Sequence, residues 1–281
     1  MNGIQALLLD LSGVLYEGDN MVEGALEAVE VLKKRYPVRF ITNTTRKTGR
    51  QVCEKLRKMG FDIDEKAIFT ALDATKRFLD ERDARGYFLL FHNVEGEFSD
   101  YTSENPDYVF VADAYTDFTY EKLNTAFRHL MEGAELVAIA KNRYFKDSDG
   151  MLSLDAGGFV TLLEYASGKK AQIIGKPAKT FFHAAAVSMG VDPAHVMMVG
   201  DDIESDILGA QKAGMQTCFV RTGKFRPEDL QRGIEPGFVI DSIADLPTCL
   251  KMEQGGIIVV KKEVSCGSSI QAEHSTNGTI P

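Results

Sequence analysis

The apolar run Ala6-Leu7-Leu8-Leu9, closed by Asp10 and turned by Leu11-Ser12-Gly13, constrains the fold of this chain more than any other stretch. A short, continuous apolar segment suits a strand buried on both faces, as in a parallel sheet, because a half-exposed strand would alternate. A carboxylate at the carboxyl end of such a strand lies where open α/β sheets bind their ligands. Two further apolar runs end in the same manner. Residues 38–41 close on Thr42-Asn43, and residues 196–199 close on Gly200-Asp201-Asp202. Helical spacing over 24–35, with Leu26, Val29 and Leu32 on one face, and over 50–59 and 71–83, separates the strands. Pro37 and Gly60 supply stop signals. This strand–helix alternation predicts an α/β fold with a Rossmann-like, doubly wound parallel sheet.

The rhythm changes partners in the middle of the chain. Strands are expected over 87–91, 108–112 and 136–140, and helices over 119–132 and 158–166. Thr119 is the candidate N-cap of the first helix, which carries Leu123, Phe127 and Leu130 on one side. Spacing alone leaves this block as either a continuation of the first sheet or an inserted domain. Residues 171–174 then lead into Gly175-Lys176-Pro177, followed by a helix over 180–189. Later come a helix carrying Asp206 and Ala210, strands over 217–220 and 238–240, an edge strand over 257–260, and a loose polar tail over 265–281.

Composition removes several function classes. A formal charge of −9 argues against nucleic-acid and anionic-membrane partners, which require a basic field. No apolar run approaches a membrane span, and the amino terminus lacks a signal-peptide pattern, so a cytoplasmic location is expected. Cys53, Cys218, Cys249 and Cys266 form no C-x-x-C pair and read as reduced thiols, not as a zinc site or disulfide frame. Dinucleotide binding has no support, since no G-x-G-x-x-G follows a strand. His92, His129, His183, His195 and His274 all fall outside the motifs, which argues against an imidazole base.

Four polar signals therefore stand in order: Asp10-Leu11-Ser12-Gly13, Thr42-Asn43, Lys176-Pro177, and Gly200-Asp201-Asp202 with Asp206 beyond. Each alone is compatible with ordinary turn or cap chemistry. In a parallel sheet, however, the strands before the first, second and fourth signals point their carboxyl ends the same way, and those ends converge on one crevice. Carboxylates from distant strands repel unless a cation lies between them. Hard oxygen ligands that leave room for water and a phosphate oxygen suit Mg²⁺. A carboxylate so placed can attack phosphorus.

The four signals resemble the four motifs of the haloacid dehalogenase superfamily of phosphohydrolases, in the subfamily with an α/β cap inserted between the second and third. Leu163-Glu164-Tyr165-Ala166-Ser167-Gly168, Ile174-Gly175-Lys176-Pro177 and Val220-Arg221-Thr222-Gly223-Lys224 resemble one branch most closely. The resemblance implies Asp10 as nucleophile and Mg²⁺ ligand, the Ser12 carbonyl and Asp201 as further metal ligands, and Lys176 as the holder of phosphate and Asp10. Leu11, Ser12, Thr42 and Asn43 are then expected to join in binding substrate, with Asp202 and Asp206 behind the metal. Arg46 and Lys179 are read as solvated charges. The implied domains are a catalytic core over 1–79 and 171–252, a cap over 80–170 and a tail over 253–281.

The implied activity is Mg²⁺-dependent phosphatase chemistry through an aspartyl-phosphate. That branch acts on pyrophosphate and on phosphoramidates such as phosphohistidine and phospholysine, and its members suggest a homodimer. Two departures qualify the match: Ser12 stands where most relatives carry a second Asp as general acid, and Thr44 where many carry Asn. The alternatives are a phosphatase for another small phosphomonoester and a weakly active phosphate-binding scaffold.

Overall fold

The structure, a computed structural model, describes residues 3–146 and 151–254. The expected strand over 257–260, the tail from 255 onward and Cys266 lie outside the described residues.

The chain opens with β1 (Ala6–Asp10), a small hairpin of β2 (Tyr16–Glu17) and β3 (Asn20–Met21), and α1 (Ala25–Lys33). β4 (Val38–Thr42), α2 (Gly49–Lys58), β5 (Ile68–Thr70) and α3 (Ala71–Asp80) follow. Thr48 and Thr70 start α2 and α3 with reciprocal capping boxes, to Gln51 and Asp73. β5 escaped the sequence reading because a three-residue strand shows no period.

The middle block holds β6 (Gly86–Leu89), α4 (His92–Glu95), β7 (Tyr108–Val111), α5 (Tyr120–Glu132) and β8 (Glu135–Ala138). Next come the hairpin of β9 (Tyr144–Lys146) and β10 (Leu152–Leu154), α6 (Ala156–Ser167) and β11 (Gln172–Ile173). Thr119 caps α5 as expected, accepting from Lys122 N. The last third contains α7 (Lys179–Val187), β12 (Val196–Gly200), a π-helical turn Ile203–Leu208, α8 (Gly209–Lys212), β13 (Gln216–Val220), β14 (Phe238–Ile240) and α9 (Leu246–Gln254).

Six strands pair in the order β14-β13-β12-β1-β4-β5, every neighbour parallel. The middle block is a separate parallel sheet, β11-β8-β7-β6, not a continuation of the first. Because β11 pairs with β8, this sheet draws on chain beyond the expected break at 170.

Along β1 the side chains alternate between two cores, which explains the unbroken apolar run. Leu7 and Leu9 pack with Leu32 of α1, Val52 and Leu56 of α2, and Leu246 of α9. Ala6 and Leu8 pack with Phe181, Phe182 and Ala185 of α7. This second core continues through Phe78 of α3 to Phe110 of β7 and Val137 of β8, so the two sheets share it. The far face of the smaller sheet buries Val109 and Leu136 against Leu130 of α5 and Val160 of α6. Among the described residues, no helix is long and apolar enough to cross a membrane, and Cys53, Cys218 and Cys249 form no disulfide.

Candidate active site

Register brings the polar ends together. β1 lies between β12 and β4, with Leu9 opposite Val199 and Asp10 opposite Ile41. The chain builds outward from β1 to β4 and β5, then returns to the other side for β12, β13 and β14. Asp10 therefore sits at the point where the strand order reverses, the usual place for a ligand crevice in such sheets.

Asp10, Asp201 and Asp206 are all buried and offer carboxylate oxygens within 4.8 Å of one another. Lys176, also buried, reaches in from the loop after β11, its Nζ lying 2.6 Å from Asp10 Oδ1 and 2.6 Å from Asp206 Oδ1. Burial works against the ammonium charge, but the two carboxylates outweigh it and raise the pKa. The acids feel the same enclosure in reverse. Burial first, then repulsion from Asp10 and Asp206, pushes Asp201 up to about 8. Burial also raises Asp206, and Lys176 limits the rise to about 6.

Hydrogen bonds divide the three acids into two kinds. Both oxygens of Asp206 are engaged, one by Lys176 and the other by Asp202 N at 3.2 Å. Asp10 and Asp201 each use a single oxygen, bonded to Lys176 Nζ and to Lys224 N (2.8 Å) respectively. Among the described residues, no hydrogen bond reaches the second oxygen of either. The expected flanking residues also have definite places. Asn43 accepts from Lys176 N at 2.8 Å and donates to Lys176 O at 2.9 Å, so its amide fixes the backbone that carries the lysine. Thr42 is buried at the end of β4, its Oγ1 accepting from Thr44 N at 3.1 Å. Ser12 is exposed, and the Leu11 side chain is in the core. Asp202 turns aside, accepting from Glu204 N and Ser205 N and pairing with Lys224 Nζ at 3.1 Å. Burial alone would raise its pKa, but Lys224 and the Ser205 amide hold it below the usual carboxylate range.

The structure adds an enclosure of Asp201 that the sequence reading did not assign. A Cβ on Gly13 would come within 1.9 Å of Asp201 Oδ2, and one on Gly223 within 2.1 Å of the same atom. Both glycines have positive φ, +88° and +66°, and together they let the backbone wrap the carboxylate. Thr222 Oγ1 donates to Gly13 O, and Gly223 N donates to Glu17 Oε1 at 2.7 Å. The available signal was positional: the Thr222-Gly223-Lys224 loop follows β13, next to β12. Tyr16 is a further neighbour, its hydroxyl pushed up to about 12 by burial and then by Asp10.

Arg46 corrects an expectation. It is not a solvated charge: its Nε pairs with Asp113 Oδ2 at 3.0 Å, and its guanidinium lies 4.7 Å from the Tyr115 ring centre and 4.5 Å from that of Phe145. Beside it, Thr45 Oγ1 accepts from Asp113 N at 3.0 Å. The loop carrying Thr42 and Asn43 is thereby tied to the end of β7, a contact between two units that no sequence period reveals. Lys179 remains exposed.

Comparison with known proteins gives the family. A family model described as haloacid dehalogenase-like hydrolase matches residues 7–102, and a second model of that kind matches 173–246. The phospholysine phosphohistidine inorganic pyrophosphate phosphatase of Rattus norvegicus is 42% identical over 236 residues, covering 82% of this chain and 87% of the relative. The haloacid dehalogenase-like hydrolase domain-containing protein 2 of Bos taurus is 43% identical over 227 residues, covering 80% and 87%. Among solved structures, the 4-nitrophenylphosphatase of Thermotoga maritima superposes with a TM-score of 0.81 at 29% identity, over 88% of this chain and 97% of that one. With a buried acidic crevice where the sheet reverses, and relatives matched over most of their length, this chain belongs to the haloacid dehalogenase-like hydrolase family.

Proposed function

We propose that the chain is a Mg²⁺-dependent phosphatase working through an aspartyl-phosphate on Asp10, with pyrophosphate and phosphoramidates as its substrates. The observation that carries this reading is the division of the acids: Asp10 and Asp201 each keep one oxygen free of hydrogen bonds, while Asp206 is saturated by Lys176 and Asp202 N. An excess of buried carboxylate over ammonium, all hard oxygen donors, fits a Mg²⁺ ion held by Asp10, Asp201 and the Ser12 carbonyl. When bound, the ion would neutralise charge on the phosphoryl oxygens.

Asp10 attacks phosphorus, and the bond from phosphorus to the leaving oxygen or nitrogen breaks. Water then cleaves the acyl phosphate, which releases phosphate and restores the carboxylate. Lys176 orients Asp10 and holds a phosphoryl oxygen. Asp206 positions the lysine, and Asn43 fixes its backbone. Thr42 contributes its hydroxyl to phosphate binding. In this reading 1–79 and 171–252 form the core, and 80–170 form a cap whose sheet gains Gln172–Ile173 as an edge strand.

Ser12 bears on the choice of substrate. A positioned acid is worth about two to four orders of magnitude in rate, and a serine hydroxyl cannot supply a proton at neutral pH. Pyrophosphate expels a stable anion, and a phosphoramidate nitrogen can take its proton from water, so both need an acid least. The activities for which the 42% identical relative is named fall in this class. The likeness to a 4-nitrophenylphosphatase favours a second reading, a phosphomonoesterase. Phosphate release from pyrophosphate, phosphoimidazole and sugar phosphates, with and without Mg²⁺, separates them. Faster release from sugar phosphates than from pyrophosphate would favour the second reading, and release from none would leave a phosphate-binding scaffold.

Stability should report the cation. With Asp201 and Asp206 raised above the ordinary carboxylate value of about 4, the folded protein binds more protons than the unfolded chain between that value and about 8. Stability without metal therefore falls as pH rises through this window. Added Mg²⁺ should raise Tm more at pH near 8 than near 5, where the acids hold protons in its place. Equal shifts at both would place the ion elsewhere.

A homodimer is proposed on a separate observation. Leu152 and Leu154 share one face of β10, Tyr144 stands opposite Leu154, and all three are more than half exposed, as is Met151. Sedimentation equilibrium should find a dimer that Leu152→Glu with Leu154→Glu dissociates. A monomeric native protein would refute it.

A further inference from the structure

A cleft of about 730 Å³ runs along the length of α2, from Arg46 and Lys47 before it to Met59 at its end, between the β2–β3 hairpin and Phe91 and Asn93 of the smaller-sheet unit. Its walls carry four cations, Arg46, Lys47, Lys55 and Lys58, against two acids, Asp19 and Glu54, although the chain as a whole is at −9. Glu54 is turned to Arg50 at 3.2 Å, Arg46 is held by Asp113, and Lys55 donates to Gly18 O at 2.8 Å with Asp19 at 3.5 Å. Lys47 and Lys58 have no carboxylate within ion-pair distance among the described residues. Partial desolvation, and then the like charge of Lys55, lowers the Lys47 pKa, while Asp19 opposes the shift. Phe91 and Met59 add apolar surface.

Tyr16 joins the cleft to the loop after β1. Lys55 Nζ stands 4.2 Å from the centre of the Tyr16 ring, and Tyr16 O accepts from Gly13 N at 2.7 Å. Arg46 borders the cleft only a few residues beyond Thr42 and Asn43. A molecule whose phosphoryl lies at Asp10 and whose remainder extends past Tyr16 enters this basic space.

We infer that the cleft is a second anion subsite, which takes a carboxylate or phosphate group carried by the leaving portion of the substrate. The inference rests on the phosphoryl site proposed at Asp10. Within the proposed substrates it favours, beside pyrophosphate, phosphoramidates and esters whose leaving portion carries a second negative group across an apolar spacer that can lie against Phe91 and Met59. Fields from unpaired cations in a cleft attract such groups, and salt screens them.

Non-hydrolysable probes keep binding separate from turnover. The full-length protein with Mg²⁺ is titrated calorimetrically with ω-phosphonocarboxylates of graded chain length, each beside its ω-amide, and with methylphosphonate. At one chain length the carboxylate should bind about threefold to tenfold more tightly than the amide, the range of one or two partly exposed ion pairs. High salt should remove the difference. Lys47→Ala with Lys58→Ala should bring the ratio to one while leaving methylphosphonate binding unchanged. A ratio of one at every length in the native protein overturns the subsite, as does a ratio that survives the double substitution. A protein that binds none of the phosphonates, methylphosphonate included, refutes the phosphoryl site itself and the subsite with it.

Discussion

Asp10→Asn is expected to lower phosphate release by at least about three orders of magnitude while leaving the fold at least as stable as the native protein. The rate follows from chemistry: an amide neither attacks phosphorus nor holds Mg²⁺ well, and each decade corresponds to about 1.4 kcal/mol of barrier. The stability follows from the geometry. Lys176 loses one partner at 2.6 Å but keeps Asp206 at 2.6 Å. Removing one of three crowded carboxylates also relieves the repulsion that raises Asp201. Phosphate release and thermal unfolding at pH near 8, measured on the same preparation, decide the matter. Residual activity within about tenfold of the native rate would remove Asp10 from the nucleophile role.

Lys176→Met should cost both activity and stability. Methionine fills a similar volume but leaves Asp10, Asp201 and Asp206 in a buried crevice without the ammonium between them. Breaking a buried ion pair by removing one partner costs roughly 3–5 kcal/mol, most of it the penalty of the unpaired charge. The loss should be largest in metal-free protein at pH near 8 and should shrink at pH near 5, where the acids take up protons. Mg²⁺ should restore part of it. Urea unfolding under these conditions tests the electrostatic origin: a loss that ignores both pH and Mg²⁺ would mean that Lys176 matters through packing alone. Lys176→Arg is no substitute, since the planar guanidinium cannot occupy a compact site shaped for a point charge.

The tie between Arg46 and Asp113 gives the two sheets a polar link in addition to their shared core. Thr45 and Arg46 meet the turn after β7 at 3.0 Å each, and Tyr115 adopts φ +49° in that turn, a conformation uncommon for a non-glycine residue. Movement of the smaller-sheet unit would therefore be felt by the loop that carries Thr42 and Asn43.

By itself the sequence determined the layered α/β class, the strands that meet at the crevice and the residues that stand at their ends. Those features are local. An apolar run such as Leu7-Leu8-Leu9 can be satisfied only by burial on both faces, and a polar residue that closes such a run must lie at the strand's end. Tertiary structure alone decided the rest. That the middle block forms its own sheet follows from which strands pair, and β11 joins it through hydrogen bonds to β8 that composition does not encode. That Asn43 bonds both backbone groups of Lys176, that Gly223 encloses Asp201, and that Arg46 lies against two rings at the junction of two units depend on residues far apart in the chain. Such contacts carry no periodicity, because each is set by the packing of whole elements and not by the order of neighbouring side chains.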